Sequence, residues 1–464
     1  MKIYTRCAVV ASLTLGSIAC GPDYDVVIEG GRVMDPESGF DAIANIGIVG
    51  GVIDIISAEP LSGAQVILAD GLVVAPGFVD LHRHGHTEEG YRLQVRDGVT
   101  TGLELEIGTP NVMDWYAERD GGQLVNFGVA AGHIGARGRA LGDSELGTGG
   151  TTVRLSTSES QRVEIARLLE EGIEAGGVGI GFGSAYTPGA TMREIEQMFW
   201  VAAETGTAAF IHLRGGLAGL DSTLTAARNA GASLHVVHAN SSGGRDIIEF
   251  LDMIAAAAQS GQDVTTEAYP YAASQTNIAA ALFDDWESWD DEDFERYQWV
   301  RTGERLTRET FEGYRAEGGS VIIHSRTAEM TRAAMTHPVT MIASDGGIGH
   351  PRAAGTFSRM LGRYVREDGS MELMDALARM TILPAARLEG WVPAMRNKGR
   401  IRIGADADIT IFDPLTVIDQ ATYVDGSLPP IGIDYVIVNG VPVVMHGEIA
   451  AGVKPGRAIK SGAW

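Results

Sequence analysis

Cysteine is almost missing from this chain of 464 residues. Cys7 and Cys20 are the only two, and both lie near the N-terminus. The body of the protein therefore has no disulfide scaffold and no thiolate for a metal. Basic residues are scarce as well. There are 36 Lys and Arg against 60 Asp and Glu, a formal net charge of -24. Little here would displace counterions from phosphates, which argues against nucleic acid or an anionic lipid surface as a partner. Long apolar runs are absent too. The candidate at 7–19 is too short to span a bilayer as a finished helix. The glycines of GGVGIGFGSAYTPG lack the Lys-Ser/Thr of a phosphate loop. No repeat of short fixed period is visible. Hydrophobic residues make up 45% and charged residues 21%, so a sizeable core can form. The length fits two or three domains, or one barrel with additions.

The first twenty residues account for both cysteines. Lys2 and Arg6 precede the apolar run, which is the layout of a secretory signal. The run ends in SIAC, which resembles a bacterial lipobox with Cys20 as the lipidated first residue of the mature chain. Ser17 departs from the Leu usual at that box's first position, and ordinary signal cleavage is the alternative. Gly21 fits outer-membrane sorting. The expectation is an exported, periplasmic protein, bound to the outer membrane only through an anchor at Cys20.

Residues 24–72 read as short strands with turns, because β-branched runs alternate with Gly pairs and Asp-Pro. From residue 73 the pattern changes. Apolar runs at 73–82, 98–106, 125–133, 177–183, 207–212, 232–238, 262–268 and 339–345 alternate with amphipathic segments such as 158–175 and 191–204. Eight strands separated by helices predict a (β/α)8 barrel over 73–398. The segment 283–319 is long, acidic and aromatic. It reads as a helical insertion on the catalytic face, either a lid or a packing subdomain. Residues 399–450 return to a β pattern. Both ends of the chain are thus expected to form one small β-sandwich beside the barrel.

Active sites of such barrels are built from the C-terminal ends of the strands. Polar residues of a consistent type fall there. PGFVDLHRHGH gives His82 and His84, which alternate to the same side of a strand. GVTTGLELEIG gives Glu104 and Glu106, FIHLR gives His212, LHVVHAN gives His238, and MIASDGG gives Asp345. Any one of these is a weak signal. Four histidines and two carboxylates at one rim suit one or two zinc ions, with manganese or cobalt also compatible.

PGFVDLHRHGH, IHLR, VHANSSGG, TEAYPYAAS and ASDGGIGHPRAAGTFSRMLGRYV resemble the amidohydrolase superfamily. More narrowly they resemble the N-acyl-D-amino-acid deacylases (D-aminoacylases), over about residues 23–456. The resemblance implies that His82 and His84 are the first-strand metal pair. His212 and His238 would hold the tighter-bound zinc, and Asp345 would be both metal neighbour and proton carrier. It implies that Arg352 anchors the substrate α-carboxylate with help from Tyr269, and that His133 either touches substrate or is a packing histidine. Two positions depart from the family. A bridging cysteine is replaced by the LELEIG region, where Glu106 is the expected bridge; the alternatives are Glu104, placed one layer deeper, or neither. No lysine in GGVGIGFG offers a carbamylated bridge. A lysine two residues past the sixth-strand histidine is replaced by Asn240, which can donate a hydrogen bond but has no charge.

The reaction so implied is hydrolysis of an N-acyl-D-amino acid, a small-molecule substrate. Metal-activated water would attack the amide carbonyl, and Asp345 would take the proton and return it to the leaving amine. The alternatives are another amidohydrolase reaction, on a cyclic amide or a dipeptide, and a non-catalytic envelope lipoprotein on the same fold.

Overall fold

The chain changes layer at Gly77. In the computed structural model, which describes residues 23–143 and 147–462, Val73–Pro76 belongs to an outer mixed sheet and Phe78–Asp80 to an inner parallel one. A Cβ at Gly77 would stand 2.2 Å from side-chain atoms of Thr100, so a glycine is needed for this close passage. The single strand expected over 73–82 is therefore two short strands. The leader expected over 1–20, with Cys20, lies outside the described residues.

The inner sheet has eight strands: β1 (Phe78–Asp80), β2 (Val99–Thr109), β3 (Asn126–Gly132), β4 (Ile180–Gly183), β5 (Ala208–His212), β6 (Ser233–Val236), β7 (Val264–Ala268) and β8 (Thr340–Ile342). They pair in sequence order and always parallel. A parallel bridge between Arg83 and Gly346 closes the ring. The Asp80 carboxylate reinforces it by accepting the Ser344 N–H at 2.9 Å. This is the expected (β/α)8 barrel. Alternation along β5 shows how it is filled. Ala208 and Phe210 join Val79, Leu103, Leu105, Val237 and Met341 in the interior, while Ala209 and Ile211 pack against the helices.

The helices predicted at 158–175 and 191–204 form as Glu159–Glu174 and Met192–Glu204. Ser158 and Gln161 make a reciprocal cap on the first, and Ile165, Leu169 and Ile173 bury its inner stripe. Thr191 caps the second by accepting the Glu194 N–H. Among the described residues no helix is long and apolar enough to cross a membrane.

Strands from both ends of the chain form the outer layer. Tyr24–Asp35 pairs antiparallel with Phe40–Val49 and parallel with Val73–Pro76, which in turn pairs antiparallel with Ile409–Phe412. One mixed sheet of nine strands results. Its core includes Val26, Ile28, Ile46, Ile409 and Ile437.

The segment expected to be a helical insertion is built differently. Ala273–Asn277, Tyr297–Trp299 and Ser320–His324 make a three-stranded antiparallel sheet. Only one α-helix, Arg308–Glu317, lies between them, with short 3-10 turns. The aromatics read in the sequence serve as its core: Phe283, Phe294, Tyr297, Trp299 and Phe311. That core is continuous with Ile134, Val153 and Tyr186 of the barrel loops, so it is packed onto the barrel. The edge strand Ala273–Asn277 and the central strand Ser320–His324 lie outside 283–319, and they are the part that reaches the barrel mouth.

Candidate metal centre

Two groups of ligand atoms meet at the C-terminal rim of the barrel. One is His82, His84, Glu106 and Asp345; the other is Glu106, His212 and His238. Within each group the ligand atoms lie within 4.8 Å of one another. Glu106 belongs to both. Its Oε2 is 3.2 Å from His82 Nε2 and 3.0 Å from His84 Nε2. Its Oε1 is 2.6 Å from His212 Nδ1 and 3.3 Å from His238 Nε2. Asp345 Oδ1 completes the first group, 3.5 Å from His82 Nε2 and 3.3 Å from His84 Nε2. All six expected ligands thus converge. Imidazoles with hard carboxylates, buried or half-buried and already gathered, form a donor set that suits zinc or a similar divalent cation.

An irregularity in β2 positions the shared carboxylate. Between the pairs Glu104–Val129 and Thr109–Ala131, β2 advances five residues while β3 advances two. This bulge breaks strict alternation, so Leu103 and Leu105 fill the interior and Glu106 still turns to the centre. Glu104 was expected one layer deeper. Instead it lies nearer solvent, its side chain 13% exposed against 3% for Glu106, and its Oε2 is 2.6 Å from His84 Nδ1. The bulge accounts for the difference: parity along a regular strand does not apply across it.

A second carboxylate does the same for the other first-strand histidine. Glu267, buried on β7, holds Oε1 3.1 Å from His82 Nδ1 and accepts the His238 backbone N–H. A carboxylate facing Nδ1 keeps the proton there and leaves Nε2 free for the centre. The sequence reading missed Glu267. The available signal was an acid between Thr266 and Ala268 near the C-terminal end of the seventh strand. His238 and Asp345 themselves have φ of 34° and 48°, uncommon for non-glycine residues and a recurrent feature of functional sites.

Burial disfavours the charged forms of His82, His84, Glu106, His212 and Asp345, yet mutual attraction wins at all but one. Asp345, Glu267 and Glu106 hold His82 well above its ordinary value, and Glu104 and Asp345 do so for His84. Glu106 stays well below the carboxylate range because His82, His212 and His238 surround it. Asp345 is likewise held low, chiefly by Arg352. His212 goes the other way: burial and the neighbouring His238 push it down. At His82 and His84 the protonated ring is favoured, so a cation would have to displace a proton from each.

The centre opens into a cavity of about 540 Å³ lined by His84, Tyr186, Ser241, Gln275, Arg326 and Arg352, among others. Four residues expected to bind substrate take different places. Arg352 reaches the cavity, but its Nη1 lies 2.7 Å from Asp345 Oδ2, so its charge is already matched. Tyr269 is buried beneath the cavity wall, its ring 4.5 Å from the Arg352 guanidinium and 5.3 Å from that of Arg326. Its hydroxyl accepts from Arg326 at 2.8 Å and is 2.6 Å from Ser241 Oγ. Asn240 does not line the cavity. Its Nδ2 donates to the Tyr269 carbonyl at 3.0 Å, so it holds the tyrosine's main chain. His133 is fully buried, 3.0 Å from Glu194 Oε1 and with its ring 5.2 Å from that of Phe182 on the helix side of the barrel. It is a packing histidine, because Gly132 ends β3 and the side chain turns towards Met192–Glu204. Ser241 and Arg326 were not anticipated. Arg326 sits on the loop leaving the insertion, where no sequence pattern marks proximity to the centre.

The pattern of the Amidohydrolase family matches residues 73–443. An N-acyl-D-glutamate deacylase of Alcaligenes xylosoxydans xylosoxydans is 29% identical over 500 residues, covering 94% of this chain and 96% of that one. A D-aminoacylase of the same organism is 30% identical over 480 residues, covering 90% and 94%. The N-acyl-D-glutamate deacylase of Bordetella bronchiseptica, solved with zinc and a phosphonate inhibitor, superposes with a TM-score of 0.82 at 26% identity, covering 94% of this chain and 99% of that one.

Proposed function

The chain belongs to the amidohydrolase family, and from that membership we propose that it is a metal-dependent hydrolase that cleaves the amide bond of N-acyl-D-amino acids. The observation that carries the reading is Glu106, whose two oxygens join two imidazole groups into one centre at the barrel mouth. The relatives named deacylases, one of them solved with zinc, support the choice of substrate and metal.

His82, His84, Glu106 and Asp345 would hold one cation, and Glu106, His212 and His238 a second. When bound, a divalent cation acidifies water and polarises an amide carbonyl. The chain's own groups do the rest. Glu267 and Glu104 hold protons on Nδ1 of His82 and His84, which keeps both Nε2 atoms turned inward. Arg352 keeps Asp345 ionised at the start of the cycle. Asp345 then accepts the proton of the attacking water at Oδ1 and returns it to the amide nitrogen as the C–N bond breaks. The products are a carboxylate and a free D-amino acid. The wall from the insertion sheet, with Ser274, Thr276 and Ile323 in the cavity lining, would receive the amino-acid side chain.

The leader sequence alone supports export to the periplasm, with a lipid anchor at Cys20. The test of function is a panel on the zinc-loaded protein: N-acetyl-D-amino acids, their L-enantiomers, dipeptides and cyclic amides. The N-acetyl-D series should be hydrolysed with the highest kcat/KM. Faster turnover of the L series, or of the cyclic amides, would replace this reading by another amidohydrolase reaction.

A further inference from the structure

We propose that Arg326 is the specificity residue that selects substrates carrying a free carboxylate, with Ser241 beside it. The inference rests on the pocket being an N-acyl amino-acid site and names the group that receives the acid end.

Two guanidiniums border the cavity, and their partners differ. Arg352 faces Asp345 at 2.7 Å and donates through Nη2 to the Gln275 carbonyl at 3.3 Å. Its positive charge is compensated within the protein. Arg326 has only neutral partners. Nη1 donates to Ser241 Oγ at 3.2 Å, and Nη2 to Tyr269 Oη at 2.8 Å and the Tyr271 carbonyl at 3.4 Å. Among the described residues no carboxylate lies within ion-pair distance of it. A half-buried guanidinium without a counterion is unusual in a protein of net charge -24, because nearby acids normally settle on such a group.

Its surroundings hold it in place. The guanidinium lies 5.3 Å from the Tyr269 ring, which Arg352 also approaches at 4.5 Å. Asn240 fixes the tyrosine by its carbonyl. Two guanidiniums thus share one aromatic ring, and only the charge of Arg326 is left for a bound anion to match. A planar guanidinium with a hydroxyl at its edge matches a carboxylate, which accepts paired hydrogen bonds.

The test compares an N-acetyl-D-amino acid with its C-terminal amide, on zinc-loaded wild type, R326Q and R326K. Affinity is read by calorimetry and turnover by steady-state kinetics. Wild type should bind the acid at least tenfold more tightly than the amide. R326Q should bring that ratio to within twofold, raising KM for the acid tenfold or more while kcat changes less than threefold. R326K should keep at least half of the logarithmic preference. If R326Q fails to fold, R326M keeps the stem over Tyr269 and is read in the same way. A wild type without the preference, or a glutamine or methionine variant that retains it, overturns the proposal. The binding arm stands apart from catalysis. Selective binding without turnover of any N-acyl-D-amino acid would refute the deacylase reading and leave the Arg326 assignment intact.

Discussion

Glu106 and Asp345 are both buried carboxylates among the same histidines, and their neighbours divide their work. Glu106 turns both oxygens to imidazoles. Asp345 turns one oxygen to the histidines and the other to Arg352, so Asp345 alone of the two has a permanent cation beside it to keep it ionised. Replacing Asp345 by Asn should lower kcat about 100-fold or more while the protein retains zinc through the five other ligands, as metal analysis of the purified variant would show. Turnover at the wild-type rate would reject its role. The residues at strand ends were legible in the sequence because each is a polar side chain closing an apolar run. Arg326, Ser241 and Glu267 were not, because their meaning depends on what stands opposite them across the barrel. Asn240 stands out in the sequence only as an uncharged residue, and its hydrogen bond to the Tyr269 carbonyl is visible only in three dimensions.

At the level of elements, eight strands and the helices between them followed from periodicity, because burial on one face leaves a repeat of two or 3.6. The bulge in β2 left no such trace, since LELEIG reads as plain alternation, and that is why Glu104 was expected in the wrong layer. The insertion was found by its aromatics but mistaken for helix. Its strands are short and its core is drawn from turns as much as from regular elements. His133 shows how an element can claim a candidate ligand. The helix Met192–Glu204 presents Glu194 to both His133 and Arg137. Burial would raise the Glu194 carboxyl, but His133, Thr157 and Arg137 outweigh it and draw it from 4.5 down to about 2. A value lowered in the folded state stabilises the protein fully above about 4.5, and this contribution is lost as pH falls through about 2. It amounts to roughly 3 kcal/mol at neutral pH. Denaturant unfolding of wild type and Glu194→Gln should therefore differ by about that much at pH 7 and by about half as much at pH 3. An equal difference at both pH values would show that the cluster contributes by packing alone.

The whole molecule is a barrel whose rim carries the chemistry, flanked by a sheet from both termini that contributes no ligand and an insertion that walls the cavity. The division explains why the fold could be read so fully: the eightfold alternation dominates the sequence, and the outer sheet is marked by its β-branched runs. The proposed function rests on one contact between parts of that rim, the shared carboxylate of Glu106. The most direct measurement is a zinc titration of metal-free wild type and Glu106→Gln, followed by hydrolysis of an N-acetyl-D-amino acid. Wild type should bind zinc at two sites, and the variant should lose at least tenfold in affinity at both, together with its turnover. A variant that keeps both affinities and the hydrolysis would contradict the account.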